Sequence, residues 1–383
     1  MVRRMNRLAG AVAAGAILAG GCALPDPLPD PSPEVSEPLK VELAWSGRPL
    51  GSLESGAFAL EPAYRDGELY LADARGWVRA LDAETREPLW RKRLERPLSA
   101  GPVPTEAHLL VGDRRGRVHA LDRDSGEPVW SAELTAQVLA SPRQARGVVV
   151  ARSADGRIYG LDAEDGSRLW IFDRAVPSLT LRRNSAPAVA GSSVVVGLQN
   201  GQLVALDARD GSVRWEHTLR EREGRTELER MADIAADPVI DRGAVYAVAY
   251  QGTTAALRMA SGDGGWEREV ASHRGLAAHG EEVYVAADDG RVWALDRRSG
   301  ATAWRQDRLE GLTLTRPVIH DGHLVVADDA GHVSWLRLRD GELVARERLS
   351  DIPVERPPVV TEEGGLYVLD AKGRLTALRI REP

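Results

Sequence analysis

A fifteen-residue phrase recurs along this chain, and its period constrains the fold before any single residue does. Two full copies run from Gly116 to Trp130 (Gly-Arg-Val-His-Ala-Leu-Asp-Arg-Asp-Ser-Gly-Glu-Pro-Val-Trp) and from Gly156 to Trp170. Copies begin at Gly76, Gly116, Gly156, Gly201, Gly252, Gly290, Gly331 and Gly373, spaced 38 to 51 residues apart. A period of about 40–50 residues is that of propeller blades.

Each copy has the pattern of paired strands. Arg117 to Leu121 alternates as a half-buried strand does. Asp122 to Gly126 is turn chemistry, with an Asp to accept backbone N–H bonds and a Gly for positive φ. Pro128 to Leu134 returns as the next strand, and His108–Gly112 and Gly101–Pro104 supply two more upstream. Four short strands per period predict an all-β fold, an eight-bladed β-propeller of four-stranded blades spanning residues 41–383. The last copy stops at Ile380 before its tryptophan strand, and Val41-Glu-Leu-Ala-Trp45 is a tryptophan strand with nothing before it. The N-terminal strand is therefore expected to complete the eighth blade and close the ring, which pairs edges a sheet would otherwise expose.

The repeat residues read as scaffold. Trp90, Trp130, Trp170, Trp215, Trp266 and Trp304, with Trp45 from the closing strand, are expected to pack between blades; Ala345 takes that place in the seventh copy. Asp82, Asp122, Asp162, Asp207 and Asp296 are expected to cap turns rather than to catalyse. No Gly-x-Ser-x-Gly elbow and no phosphate-cradling glycine loop occurs. His320-Asp-Gly-His323 reads as a solvated turn and not a metal site, for want of a third ligand. Cys22 is the only cysteine, which excludes a disulfide scaffold and a cysteine-ligated metal. The expectation is a protein that is not an enzyme, with no cofactor and no metal. The net charge of −7, without a basic run, argues against nucleic acid as a partner.

Residues 1–21 read as a signal peptide: Arg3, Arg4 and Arg7, then an apolar run from Leu8 to Leu18 too short to span a bilayer. Leu18-Ala-Gly-Gly-Cys22 resembles the bacterial lipobox, which implies a lipidated Cys22 as the mature N-terminus and membrane attachment by the lipid anchor only. Ala23 next to it is compatible with outer-membrane sorting. Residues 22–40 form the tether, with six prolines between Pro25 and Pro38. Such a segment is semi-rigid at about 3.1 Å per residue.

The repeat itself is similar to that of the pyrroloquinoline-quinone dehydrogenases. Those enzymes typically hold the quinone against a vicinal Cys-Cys disulfide, which this chain cannot form. A quinone-dependent periplasmic dehydrogenase is one alternative reading, and a generic envelope-binding propeller is another.

A regular repeat carries function where it is irregular, and insertions in propellers map to loops. The two longest gaps hold Val176-Pro-Ser-Leu-Thr-Leu-Arg-Arg-Asn-Ser-Ala-Pro187 and Arg225-Thr-Glu-Leu-Glu-Arg-Met-Ala-Asp-Ile-Ala-Ala-Asp-Pro238. Both segments, with Val248-Ala-Tyr-Gln-Gly252, resemble those of the BamB family, lipoproteins of the outer-membrane β-barrel assembly machinery. The resemblance implies a non-catalytic scaffold at the periplasmic face of the outer membrane. Its implied partner is a BamA-type insertase, bound through its POTRA domains, with outer-membrane protein clients assisted in folding and insertion. Carried over by motif, the partner-binding residues are Leu179, Leu181, Arg182 and Asp233. The family's second acid falls at Ala235 here, and Asp237 lies two places away. The densely charged segment 221–230 reads as a solvated, projecting loop.

Overall fold

A computed structural model of the chain describes residues 39–50, 59–181 and 183–381. The expected signal peptide, the expected lipidation site Cys22, the expected tether as far as Pro38, and Arg182 lie outside the described residues.

The described residues contain strands and turns and no helix. Eight antiparallel sheets follow one another along the chain. Blade 1 spans residues 63–93, blade 2 98–133, blade 3 143–172, blade 4 188–218, blade 5 239–268, blade 6 276–306 and blade 7 318–348. Blade 8 takes three strands from residues 359–380 and its outermost strand, Val41–Gly47, from the other end of the chain. The N-terminal strand thus closes the ring, as the truncated last phrase predicts. Blade 2 carries one addition, the two-residue strand Ala59–Leu60 in parallel register with Ala100 and Gly101.

The tryptophan phrase locks each blade to the next. The Trp90 ring lies against Gly126 of blade 2, where an added Cβ would sit 2.4 Å from Cε3. Its Nε1–H donates to the Arg123 carbonyl at 2.9 Å. The same bond runs from Trp130 to Ala163, Trp170 to Ala208, Trp215 to Met259, Trp266 to Arg297 and Trp304 to Leu338. The motif aspartates cap turns: Asp82 Oδ1 accepts from the Glu84 and Thr85 backbone, and Asp296 Oδ1 from Arg298 and Ser299.

Each motif tryptophan faces a small residue across the outer strand pair, such as Ala80 opposite Trp90, Ala120 opposite Trp130 and Gly160 opposite Trp170. Blade 7 exchanges the two sizes. Trp335 stands on the inner member of the pair and Ala345 on the outer, so one large ring still fills the layer. Trp335 is fully buried, and its Nε1–H donates to His320 Nδ1 at 3.1 Å. That acceptor role leaves the proton on Nε2, which donates to the Gly364 carbonyl of blade 8 at 3.1 Å. The seam between blades 7 and 8 is therefore locked through a histidine. This corrects the reading of His320 as part of a solvated turn: only Asp321 and Gly322 make the turn, with positive φ, and His320 is buried. At the last seam the Tyr367 hydroxyl donates to the Ala83 carbonyl of blade 1.

Candidate functional site

The two irregular segments are the connections 173–187 and 219–238, and they flank blade 4. Among the described residues neither forms a strand or a helix; the first is held through side chains, and the second by side chains and a few backbone bonds.

The first connection has a buried base. Ser185 Oγ donates to the Gly197 carbonyl at 2.9 Å and accepts from the Gly197 N–H at 3.1 Å. Asn184 Oδ1 accepts from Gln199 Nε2. Behind them the fully buried Arg152 donates to the Gly197 carbonyl and to Gln199 Oε1. Above this base the chain turns outward. Leu179 is 41 % exposed, Leu181 half-buried and Ser178 exposed.

In the second connection, Met231 to Ala236 is buried and the charged part is not. Residues 221–229 are exposed, in agreement with the solvated loop their charge predicts. Thr226 and Glu229 close a reciprocal pair: Thr226 Oγ1 accepts the Glu229 N–H, and Glu229 accepts the Thr226 N–H. This is the bonding of a capping box, here around a single turn. Glu227 pairs with Arg230 at 2.9 Å and Arg222 at 3.7 Å. The turn presents Leu228, 59 % exposed. Ile234 anchors the segment on blade 4, its N–H donating to the Leu198 carbonyl.

Two acids join the connections. Asp233 is 1 % exposed, and its Oδ1 accepts the Leu181 N–H at 3.0 Å. Asp237 Oδ1 accepts the Ala186 N–H at 2.7 Å. Ser178 Oγ adds a third link, donating to Glu227 at 3.3 Å. Asp233 therefore does not meet solvent; it fixes the backbone between Leu179 and the buried base. Burial pushes its carboxyl up to about 6, opposed by the Leu181 N–H and by the charge of Arg152. The structure brings Leu179, Leu181 and Asp233 together, and Leu228 stands on the neighbouring connection. Sequence reasoning missed Leu228 and Asp237; the Thr226-x-x-Glu229 spacing, which opens a turn, was the available signal for the first. Ala235 is buried, so an acid at that place would need a partner inside the ring.

Residues 74–306 and 294–382 match the family model described as outer membrane protein assembly factor BamB. The chain is 51 % identical to the outer membrane protein assembly factor BamB of Alkalilimnicola ehrlichii, over 100 % of this chain and 99 % of that one. The chain belongs to the BamB family. The BamB of Pseudomonas aeruginosa is 46 % identical over 84 % of each chain. The crystal structure of BamB from Moraxella catarrhalis superposes with a TM-score of 0.81, at 24 % identity, covering 89 % of this chain and all of that one. That likeness confirms the eight-bladed BamB fold, and the family is the one the two connections resemble.

Proposed function

We propose that this BamB-family chain is a non-catalytic scaffold of the outer-membrane β-barrel assembly machinery, docking on POTRA domains of a BamA-type insertase through the paired connections beside blade 4. The family places the chain among outer membrane protein assembly factors. The observation that carries the site is the stapled pair of loops: Leu179 and Leu228 are exposed apolar side chains on a backbone fixed from below by Asp233 and Asp237. Exposed apolar anchors on a preorganised backbone suit an interface, because little ordering entropy remains to be lost on binding. Arg182, between the two held residues, supplies the charged anchor. Trp90, Trp130, Trp170, Trp215, Trp266 and Trp304 are engaged in inter-blade locks and the motif aspartates in turn caps, which supports a scaffold rather than a quinone enzyme. Cys22 carries the lipid anchor in this reading, on the periplasmic side of the outer membrane.

The test is capture from detergent-solubilised envelopes, with the lipidated protein and an Arg182→Glu copy as baits. Recovery of a BamA-type protein by the wild type alone supports both function and site. Recovery by neither copy contradicts the function, and equal recovery by both contradicts the site.

A further inference from the structure

Two positions of every phrase face each other at the end of the outer strand pair: the residue after the starting glycine, and the residue three places after the tryptophan. In blades 2, 3 and 6 they form an arginine–carboxylate pair: Arg117 with Glu133 at 3.4 Å, Arg157 with Asp173 at 3.1 Å and Arg291 with Asp307 at 3.3 Å. Blade 5 keeps an acid, Glu269, at the second position. Blades 7, 8 and 1 depart from this together. There the second position is Arg348, Arg48 and Arg93, and the first is His332, Arg374 and Trp77.

The departure is sharpest in blade 1. The half-buried Trp77 ring has three guanidiniums, those of Arg79, Arg91 and Arg93, each 5.7 Å from its centroid. Among the described residues none of the three is in an ion pair, and Arg79 Nε is buried without a hydrogen-bond partner. By contrast, in blade 6 Arg305 lies over Trp293 but pairs with Asp307 at 2.7 Å. Between blades 7 and 8 a groove of about 250 Å³ is lined by Val41, Leu43, Leu349 and Leu378, with Arg348 and Arg374 at its polar side; it also holds Glu347, and Arg348 is paired with Asp351. Leu43 is 64 % exposed.

The chain enters the ring at the middle of this arc. Leu39, the first described residue, stands two places before the closing strand of blade 8, and the segment leading back to Cys22 lies before it. Blade 8 is four blades from blade 4 in either direction, so the arc lies across the ring from the paired connections. The three arginines around Trp77 stand without an ion pair among the described residues although the chain as a whole carries a net charge of −7.

We propose that the basic rim of blades 7, 8 and 1 docks on the phosphate-bearing headgroups of an anionic lipid bilayer. Guanidinium groups bind phosphate oxygens in bidentate fashion, and basic surfaces near a membrane are drawn to anionic lipid. Trp77 has the amphipathic ring that settles at a bilayer interface, and Leu43 and the seam groove offer apolar contact beside it. The choice of a membrane as occupant rests on the lipid-anchor reading above, but the binding itself is separately measurable.

The experiment is co-sedimentation of the chain from Ala23 onward, which holds every described residue and lacks Cys22. The vesicles are phosphatidylcholine alone, or phosphatidylcholine with phosphatidylglycerol. The chain is expected to sediment with the anionic vesicles, less so at high salt, and not with the neutral ones. Arg91→Glu/Arg93→Glu, and separately Arg48→Glu/Arg348→Glu, are expected to weaken that binding by about tenfold or more. Both double variants should keep the wild-type melting temperature and capture of the BamA-type partner, and Arg182→Glu should keep vesicle binding. Equal sedimentation of wild type and a correctly folded Arg91→Glu/Arg93→Glu variant would overturn the proposal. So would equal binding to neutral and anionic vesicles, or binding to neither.

Discussion

The Leu181 N–H donates to Asp233 Oδ1 at 3.0 Å across 52 residues, so one carboxylate spans the whole of blade 4 and fixes two connections to each other. The shape of the patch beside blade 4 depends on that bond and on its neighbour from Ala186 to Asp237.

Asp233 contributes to stability with an unusual sign. Its carboxyl titrates near 6 in the folded chain, against an ordinary 3.8. The folded state therefore binds the proton more readily, and stability from this group rises as pH falls from about 6 toward 4. Above 6 the charged form carries its full burial cost. Asp233→Asn keeps an acceptor for Leu181 without that charge. It is expected to melt higher than wild type at pH 7.5, by an amount that shrinks on acidification to pH 4.5. A difference independent of pH would contradict the burial of the charge.

Asp233→Ala removes the acceptor as well. Partner binding is expected to fall about tenfold or more while the ring stays folded, because hot-spot contacts are lost when their backbone is released. Asp237→Ala should act in the same direction. Wild-type affinity in both variants, by calorimetry, would separate the staples from the site.

His320 has the opposite pH sign. Burial holds it below its ordinary 6.5, and its Nδ1 must stay unprotonated to accept from Trp335. The unfolded chain takes up a proton as pH falls through 6.5 while the folded one resists, so stability is lost on acidification below 6.5. His320→Gln is expected to melt lower at pH 7.5 and to lose less between pH 7.5 and 5.5. An unchanged pH slope would sink the histidine lock.

The tryptophan locks can be tested by size. Trp130→Ala is expected to cost about 3–5 kcal/mol in denaturant unfolding. In blade 7, Trp335→Ala should cost a similar amount, and Trp335→Ala/Ala345→Trp should recover part of it by restoring the arrangement of the other blades. A double variant no better than the single would mean that the layer does not simply need one large ring.

The blades were legible because their determinants are local and periodic. Alternation, an Asp-to-Gly turn and one tryptophan recur at fixed spacing, and the truncated last phrase points to Val41–Gly47 as its completion. The seam of blades 7 and 8 was not legible, because Ala345 reads as a missing tryptophan until the strand register places Trp335 opposite it. His320 was misread for a related reason: a turn dipeptide after it says nothing about a partner 15 residues on and a carbonyl 44 residues on. At the proposed site, the length of the connections and the family-like motif singled out two segments that the structure ties together beside blade 4. The motif could not say that Asp233 faces inward, since one aspartate can cap, pair or meet a partner, and only the position of Leu181 decides among them. Asp237, out of register with the family's second acid, was legible only as a nearby charge; its bond to Ala186 gives it a role.

The central claim is that the paired connections beside blade 4 form the docking surface for the insertase. The direct test is titration of the purified POTRA region of the BamA-type partner with wild-type chain and with Leu179→Asp, Arg182→Glu and Arg91→Glu/Arg93→Glu variants of unchanged melting temperature. The account predicts that the first two variants lose binding and that the rim variant binds as wild type does. Full affinity in Leu179→Asp and Arg182→Glu would contradict it and move the docking surface elsewhere on the ring.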